Sequence, residues 1–148
     1  MVIRTSLPKD ADAISSLSSQ LGYPLPPHEA AVFQDSLLQL PDHLVLVAED
    51  AEGQVRGWVH VFISRRLFVP AFAELGGLVV HNGHRQSGIG SALLAKAEGW
   101  AIAAGCPVFR IRTNTKRLDA DIFYRSAGYE LAKTQSVFEK ALPSEWHA

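Results

Sequence analysis

"AELGGLVVHNGHRQSGIGSALL", residues 73–94, changes character twice within one short run. It opens as a strand-like apolar segment carrying one acid, Glu74, and the pair Gly76-Gly77; glycine inside a strand marks a bulge or a close backbone approach. The polar loop "HNGHRQSGIG", residues 81–90, follows, and the chain then takes up helical spacing through Leu93, Ala97, Trp100, Ala101 and Ala104. A glycine-rich turn between a strand and a helix leaves unpaired backbone N–H groups at the positive end of the helix, where a phosphate or pyrophosphate can sit. Two spaced glycines before a helix also arise as plain turn chemistry, so the loop alone leaves both readings open.

Two phosphate loops can be tested directly. A P-loop ends in Gly-Lys-Ser/Thr, and a dinucleotide fingerprint needs a third glycine with an acid about 20 residues further on. Here Gly90 is followed by Ser91 and Ala92 with no lysine, and Leu93 stands where the third glycine would be. Neither motif fits.

Outward from this stretch the chain alternates strands and helices. "MVIRTS" reads as a strand; Pro8, the acids Asp10 and Asp12, and Ile14, Leu17 and Leu21 mark a helix ended by Gly22. A second helix starts at Pro26-Pro27, is expected to bury Ala30, Phe33, Leu37 and Leu40, and stops at Pro41. "HLVLVAED" has the continuous apolar character of a strand covered on both faces, and "AEGQ" turns it into "VRGWVHVFIS". In that strand Val55, Gly57, Val59, Val61 and Ile63 share one face, and Arg56, Trp58, His60 and Phe62 the other. Beyond Gly105 and Pro107, "VFRIRTN" reads as a strand, "RLDADIFYRSAGY" as a helix ending at Gly128, and Tyr129–Leu142 as one or two final strands. No repeat or linker interrupts this β-α-α-β-β-β-α-β-α-β order, so residues 1–148 are expected to form one α/β domain.

Composition narrows the function classes. Fourteen Lys+Arg against 15 Asp+Glu supply no field strong enough to gather nucleic acid or anionic lipid. With Cys106 as the single cysteine, an intrachain disulfide is impossible and a thiolate zinc cluster is disfavoured. His60, His81 and His84 show no metal-ligand spacing, and no metal is expected. No apolar run approaches the ~18 residues of a membrane span, and the start lacks the apolar core of a signal peptide. A cytoplasmic protein with neither nucleic-acid nor membrane partners is the expectation.

One further loop type does fit. Arg85-Gln86-Ser87-Gly88-Ile89-Gly90 resembles the (Arg/Gln)-x-x-Gly-x-(Gly/Ala) pyrophosphate loop of the GNAT superfamily of acetyl-CoA-dependent N-acetyltransferases. Residues 73–94 resemble that family's fourth strand, loop and third helix, and "RTNTKRLDADIFYRSAGY" its fifth strand and following helix. Where the family usually has a glycine near the arginine-like position, Gln86-Ser87 precede Gly88, which changes side chains and keeps the amide spacing. The resemblance implies a GNAT-like fold: a mixed, mostly antiparallel sheet flanked by helices on both faces. It also implies acetyl-CoA as donor and a small-molecule or peptide amine as acceptor, joined by direct attack in a ternary complex. A non-catalytic acyl-CoA-binding domain of the same fold is the alternative.

Carried over residue by residue, the resemblance assigns the pyrophosphate to Arg85, Gln86, Ser87, Gly88, Ile89, Gly90 and Ser91, and the pantetheine arm to the backbone of Leu78, Val79 and Val80 with Asn114. The Leu78 amide would face the thioester carbonyl. Glu74, eleven residues before Arg85, stands where several members place the base; between Ala73 and Leu75 its carboxylate would be partly desolvated, which strengthens a base. A strand-end glutamate paired with a nearby arginine is the structural reading of the same residue. Tyr124 matches the tyrosine near the coenzyme sulfur, suited to protonating a thiolate, or else is an amphipathic packing residue. Asn114 can equally be a turn residue. His60, beside Trp58, is a candidate wall of the acceptor pocket outside the catalytic set. Many relatives dimerise, and the aromatic tail with Phe138 and Trp146 is compatible with a homodimer.

Overall fold

A computed structural model describes residues 1–85 and 87–143. The chain forms two compact units, Met1–Arg112 and Thr113–Ala148.

The first unit holds a five-stranded sheet in the order β1 (Val2–Thr5), β2 (His43–Glu49), β3 (Val55–Ser64), β4 (Phe72–Val80) and β5 (Phe109–Arg110). The first three pairings are antiparallel and β4–β5 is parallel, so the sheet is mixed and mostly antiparallel. Helix α3 (Ile89–Ala103) covers one face: Ile89, Leu93, Ala97 and Ala101 pack with Leu46, Ala48, Val59, Val61 and Ala73 in one buried cluster. Helices α1 (Ala11–Gln20) and α2 (Pro27–Leu38) lie against the opposite face, which carries Val45, Val47, Trp58, His60 and Phe62. The alternation expected in β3 is the one observed, because the two faces meet different helices.

Helix α2 departs from its expected phase. Ala30 is buried, but Phe33 and Leu40 are exposed, and Gln34 faces inward. Gln34 Nε2 donates to the Leu7 carbonyl, so a polar side chain can take the inward position by satisfying a backbone acceptor.

The entrance to α1 is fixed electrostatically. Asp10, 3% exposed, accepts from Arg4 Nη1 at 2.7 Å and Nη2 at 2.9 Å and from the Leu7 amide at 2.7 Å. Burial pushes its carboxyl up, but the Arg4 and Leu7 bonds outweigh that and hold it below 3.8. A carboxylate depressed in the folded state contributes stability above its unfolded value and loses it as pH falls through the folded one. Urea midpoints should therefore start to drop as the pH approaches 3.8 and keep falling below it. Asp10→Asn should lower stability by about 1–3 kcal/mol at pH 7 and flatten that acid limb; an unchanged limb would assign it to other carboxylates.

In the second unit, α4 (Leu118–Ser126) forms as expected, closed near Gly128. The expected final strands do not form: the described tail has no strand, and Leu131, Val137, Phe138 and Leu142 are 68%, 81%, 93% and 80% exposed. β5 is likewise two residues long instead of seven. Strand formation requires a partner edge and half-buried surface, which local composition cannot supply. Trp146 lies outside the described residues.

Candidate acyl-transfer site

Strand β4 is irregular where its sequence is. Leu75 is opposite Val61 and Gly77 opposite His60, so Gly76 is an extra residue without a partner on β3: a bulge. Side chains explain the glycines. A Cβ on Gly76 would clash with the His60 ring, with Cε1 only 2.7 Å away, and one on Gly77 would lie 2.7 Å from Trp58 Cη2. Both glycines are needed because β3 lays two rings across them. The register is restored at Leu78, opposite Val59.

The other edge of β4 is paired only at Ala73 and Glu74, opposite Phe109 and Arg110. From Leu75 to Val80 that edge has no strand partner among the described residues. Leu78 and Val80 pack against the α3 core and Val79 is buried, so only their backbone is available to a ligand.

Past β4 the loop is tied down at several points. Asn82 N donates to Gln20 Oε1, His81 Nδ1 accepts from Gly83 N at 3.1 Å, and the Ser87 hydroxyl donates to the His84 carbonyl. Gly88 then caps α3 at φ 89°, a left-handed conformation that glycine takes without strain. The helix starts at Ile89, two residues before Ser91, so the first-turn amides of Ile89, Gly90 and Ser91 have no helical acceptor. The Ile89 side chain is buried in the core, leaving its amide as the group that can face a ligand. Gln86 lies outside the described residues.

Glu74 faces the same side of the sheet as its β3 partner Phe62, and its Oε1 accepts from Arg112 Nε at 3.2 Å. Expected arginine pairing is thus present, in a residue that also stands two positions ahead of the bulge. Beside it is a feature that sequence reasoning missed: His43 Nδ1 and His60 Nε2 are 2.9 Å apart, with their rings stacked on each other and His43 stacked on Phe62. Burial and neighbouring His43 push His60 down to about 4, so its imidazole is neutral at pH 7. Alternation places His43 on the face of Val45 and Val47, but its pairing with His60 depends on the β2–β3 register.

In the second unit, Tyr124 packs edge-on against Phe123 and Tyr129, at centroid distances of 5.2 and 6.1 Å. Burial pushes its phenol above 10.0, against an opposing pull from Arg117, so it stays protonated at neutral pH. Asn114 Oδ1 accepts from Lys116 N and its carbonyl from Arg117 N, which is the expected turn chemistry. Among the described residues no group of three or more His, Cys, Asp or Glu could hold a metal, and no helix is long and apolar enough to cross a membrane.

Known structures share this architecture. Aminoglycoside 6'-N-acetyltransferase AAC(6')-IG from Acinetobacter haemolyticus is 20% identical with a TM-score of 0.83, covering 97% of this chain and 100% of its own. A transcriptional regulator from Bacillus halodurans is 24% identical with a TM-score of 0.83, covering 94% and 99%. Aminoglycoside N-acetyltransferase AAC(6')-Iy in complex with CoA is 19% identical with a TM-score of 0.82, covering 95% and 100%. At these identities the likeness shows the fold. No curated protein matches the sequence. The acetyltransferase (GNAT) family matches residues 11–129, which span the bulged strand, the capped loop and α4, and the chain belongs to that family.

Proposed function

We propose that the protein transfers an acetyl group from acetyl-CoA directly to a primary amine in a ternary complex. The observation that carries this reading is the sequence of features along one segment: a bulge at Gly76, an open strand edge to Val80, and a helix N-terminus freed by Gly88. An open edge accepts an extended pantetheine arm as an added strand, and the amides around Arg85–Ser91 suit its pyrophosphate. Asn114 is the assigned side-chain contact of that arm in the second unit.

In the reaction, the lone pair of the neutral amine attacks the thioester carbon, and Glu74 takes a proton from the nitrogen as it becomes cationic, releasing it to solvent before the next turnover. The tetrahedral oxyanion is held by a β4 amide near the bulge, at Leu78 in the family's assignment. Collapse breaks the C–S bond, and Tyr124 protonates the departing thiolate before regaining its proton from solvent.

The Glu74–Arg112 pair favours a second reading, in which the domain binds an acyl-CoA without turning it over. Both readings expect acetyl-CoA to stabilise the protein by about 2.7 kcal/mol at a hundredfold excess over Kd. Only the enzyme releases CoA thiol when a panel of amines, peptides and aminoglycosides is added. No thermal shift at millimolar acetyl-CoA would reject both.

Gly88→Ala tests the cradle. Nothing lies within 4 Å of the added Cβ, so the effect comes from φ alone, a strain of about 1–2 kcal/mol. Calorimetric titration with CoA should show affinity reduced up to about tenfold, which corresponds to ~1.4 kcal/mol. A lowered melting temperature with unchanged affinity would make Gly88 a helix cap only.

A further inference from the structure

Resting on the acetyltransferase reading, we propose that the acceptor is an aromatic α-amino acid, its carboxylate held by Arg110 and Arg66 and its ring laid against the His43–His60–Phe62 stack. The observation is a local excess of positive charge around Glu74. Arg110 stands in register with Glu74 on β5, so it projects from the same side of the sheet. Its Cζ lies 4.2 Å from the centroid of the Phe72 ring, and Arg66 Cζ lies 5.5 Å from the same centroid. Neither guanidinium has a carboxylate partner among the described residues; Arg66 bonds only the Ser64 hydroxyl. The acid in register with Arg110, Glu74, is already shared with Arg112.

Three guanidiniums and one carboxylate make a poor host for an acceptor carrying several ammonium groups. They suit an amine with an anionic group of its own, because a guanidinium recognises a carboxylate with charge-assisted, paired hydrogen bonds. In an α-amino acid the carboxylate is separated from the nitrogen by a single carbon. Neighbouring strands are about 4.8 Å apart, so an amine at Glu74 on β4 leaves its carboxylate within reach of Arg110 on β5. The remaining contact on this face is aromatic: His43, His60 and Phe62 have ring centroids 5.2–5.6 Å apart and are only partly buried, and the bulge residue Gly76 beside them is exposed. A planar side chain would extend that stack, with the amine directed to the bulge.

The test compares L-phenylalanine, phenethylamine and kanamycin as acceptors with the full chain and acetyl-CoA, reading CoA thiol release. L-phenylalanine is expected to exceed phenethylamine in kcat/KM by at least about tenfold, the discrimination given by a site built to pair a polar group, with kanamycin the poorest. Arg110→Gln should collapse the ratio between the first two through a raised KM for L-phenylalanine. Preference for phenethylamine or kanamycin, or an Arg110→Gln effect confined to kcat and equal for both amines, would overturn the assignment. If acetyl-CoA binds and none of the three releases thiol, this assignment of the acceptor is overturned, whereas thiol release with another amine of the wider panel keeps the transferase reading.

Discussion

Glu74→Gln is expected to lower kcat by about 10²–10⁴-fold, the usual worth of a general base, while the Kd for acetyl-CoA stays within about twofold. Glutamine keeps the shape of the side chain and still offers Oε1 to Arg112, so the substitution removes the capacity to take a proton and little else. The Arg112 pair orients the carboxylate beside the bulge. With the Arg112 side chain 44% exposed, the pair is screened, and such partly exposed pairs contribute about 0–1 kcal/mol. That is too little to cancel the advantage of a positioned base. An unchanged kcat would leave Glu74 as the strand-end partner of Arg112 and move the base elsewhere.

How far the sequence could be read depended on whether the information was local. The β2–β3 hairpin was legible because its turn and its alternation lie within one contiguous stretch. The bulge was legible too, since a glycine pair inside a strand has few other uses. The phase of α2 does not follow its apolar residues alone: Gln34 points inward, its Nε2 donating to a Leu7 carbonyl that also accepts from the Asp10 amide. The His43–His60 pair was missed because two histidines seventeen residues apart meet only through a strand register. The arginine facing Glu74 was expected as a type of partner, but Arg112 could be named only once β5 was set beside β4. Tail strands failed for the same reason: Val137 and Phe138 have the right composition, and composition does not provide an edge to pair with.

Tyr124→Phe is the second large effect, and its size can be argued from the leaving group. An ordinary thiol titrates near ~8.5, so a thiolate already departs readily and gains less from a proton donor than an alkoxide would. The phenol of Tyr124 is pushed above 10.0 by burial, which keeps the proton in place at neutral pH but makes it a reluctant acid. Both considerations put the loss at the low end for general acid catalysis, about 10²-fold in kcat. Phenylalanine retains the edge-on packing with Phe123 and Tyr129, so melting temperature should barely move. A fall in kcat with unchanged stability and unchanged acetyl-CoA affinity would mark the hydroxyl as chemical. If instead stability and rate fall together, Tyr124 holds α4 in place; if neither changes, the thiolate leaves unaided and takes its proton from water.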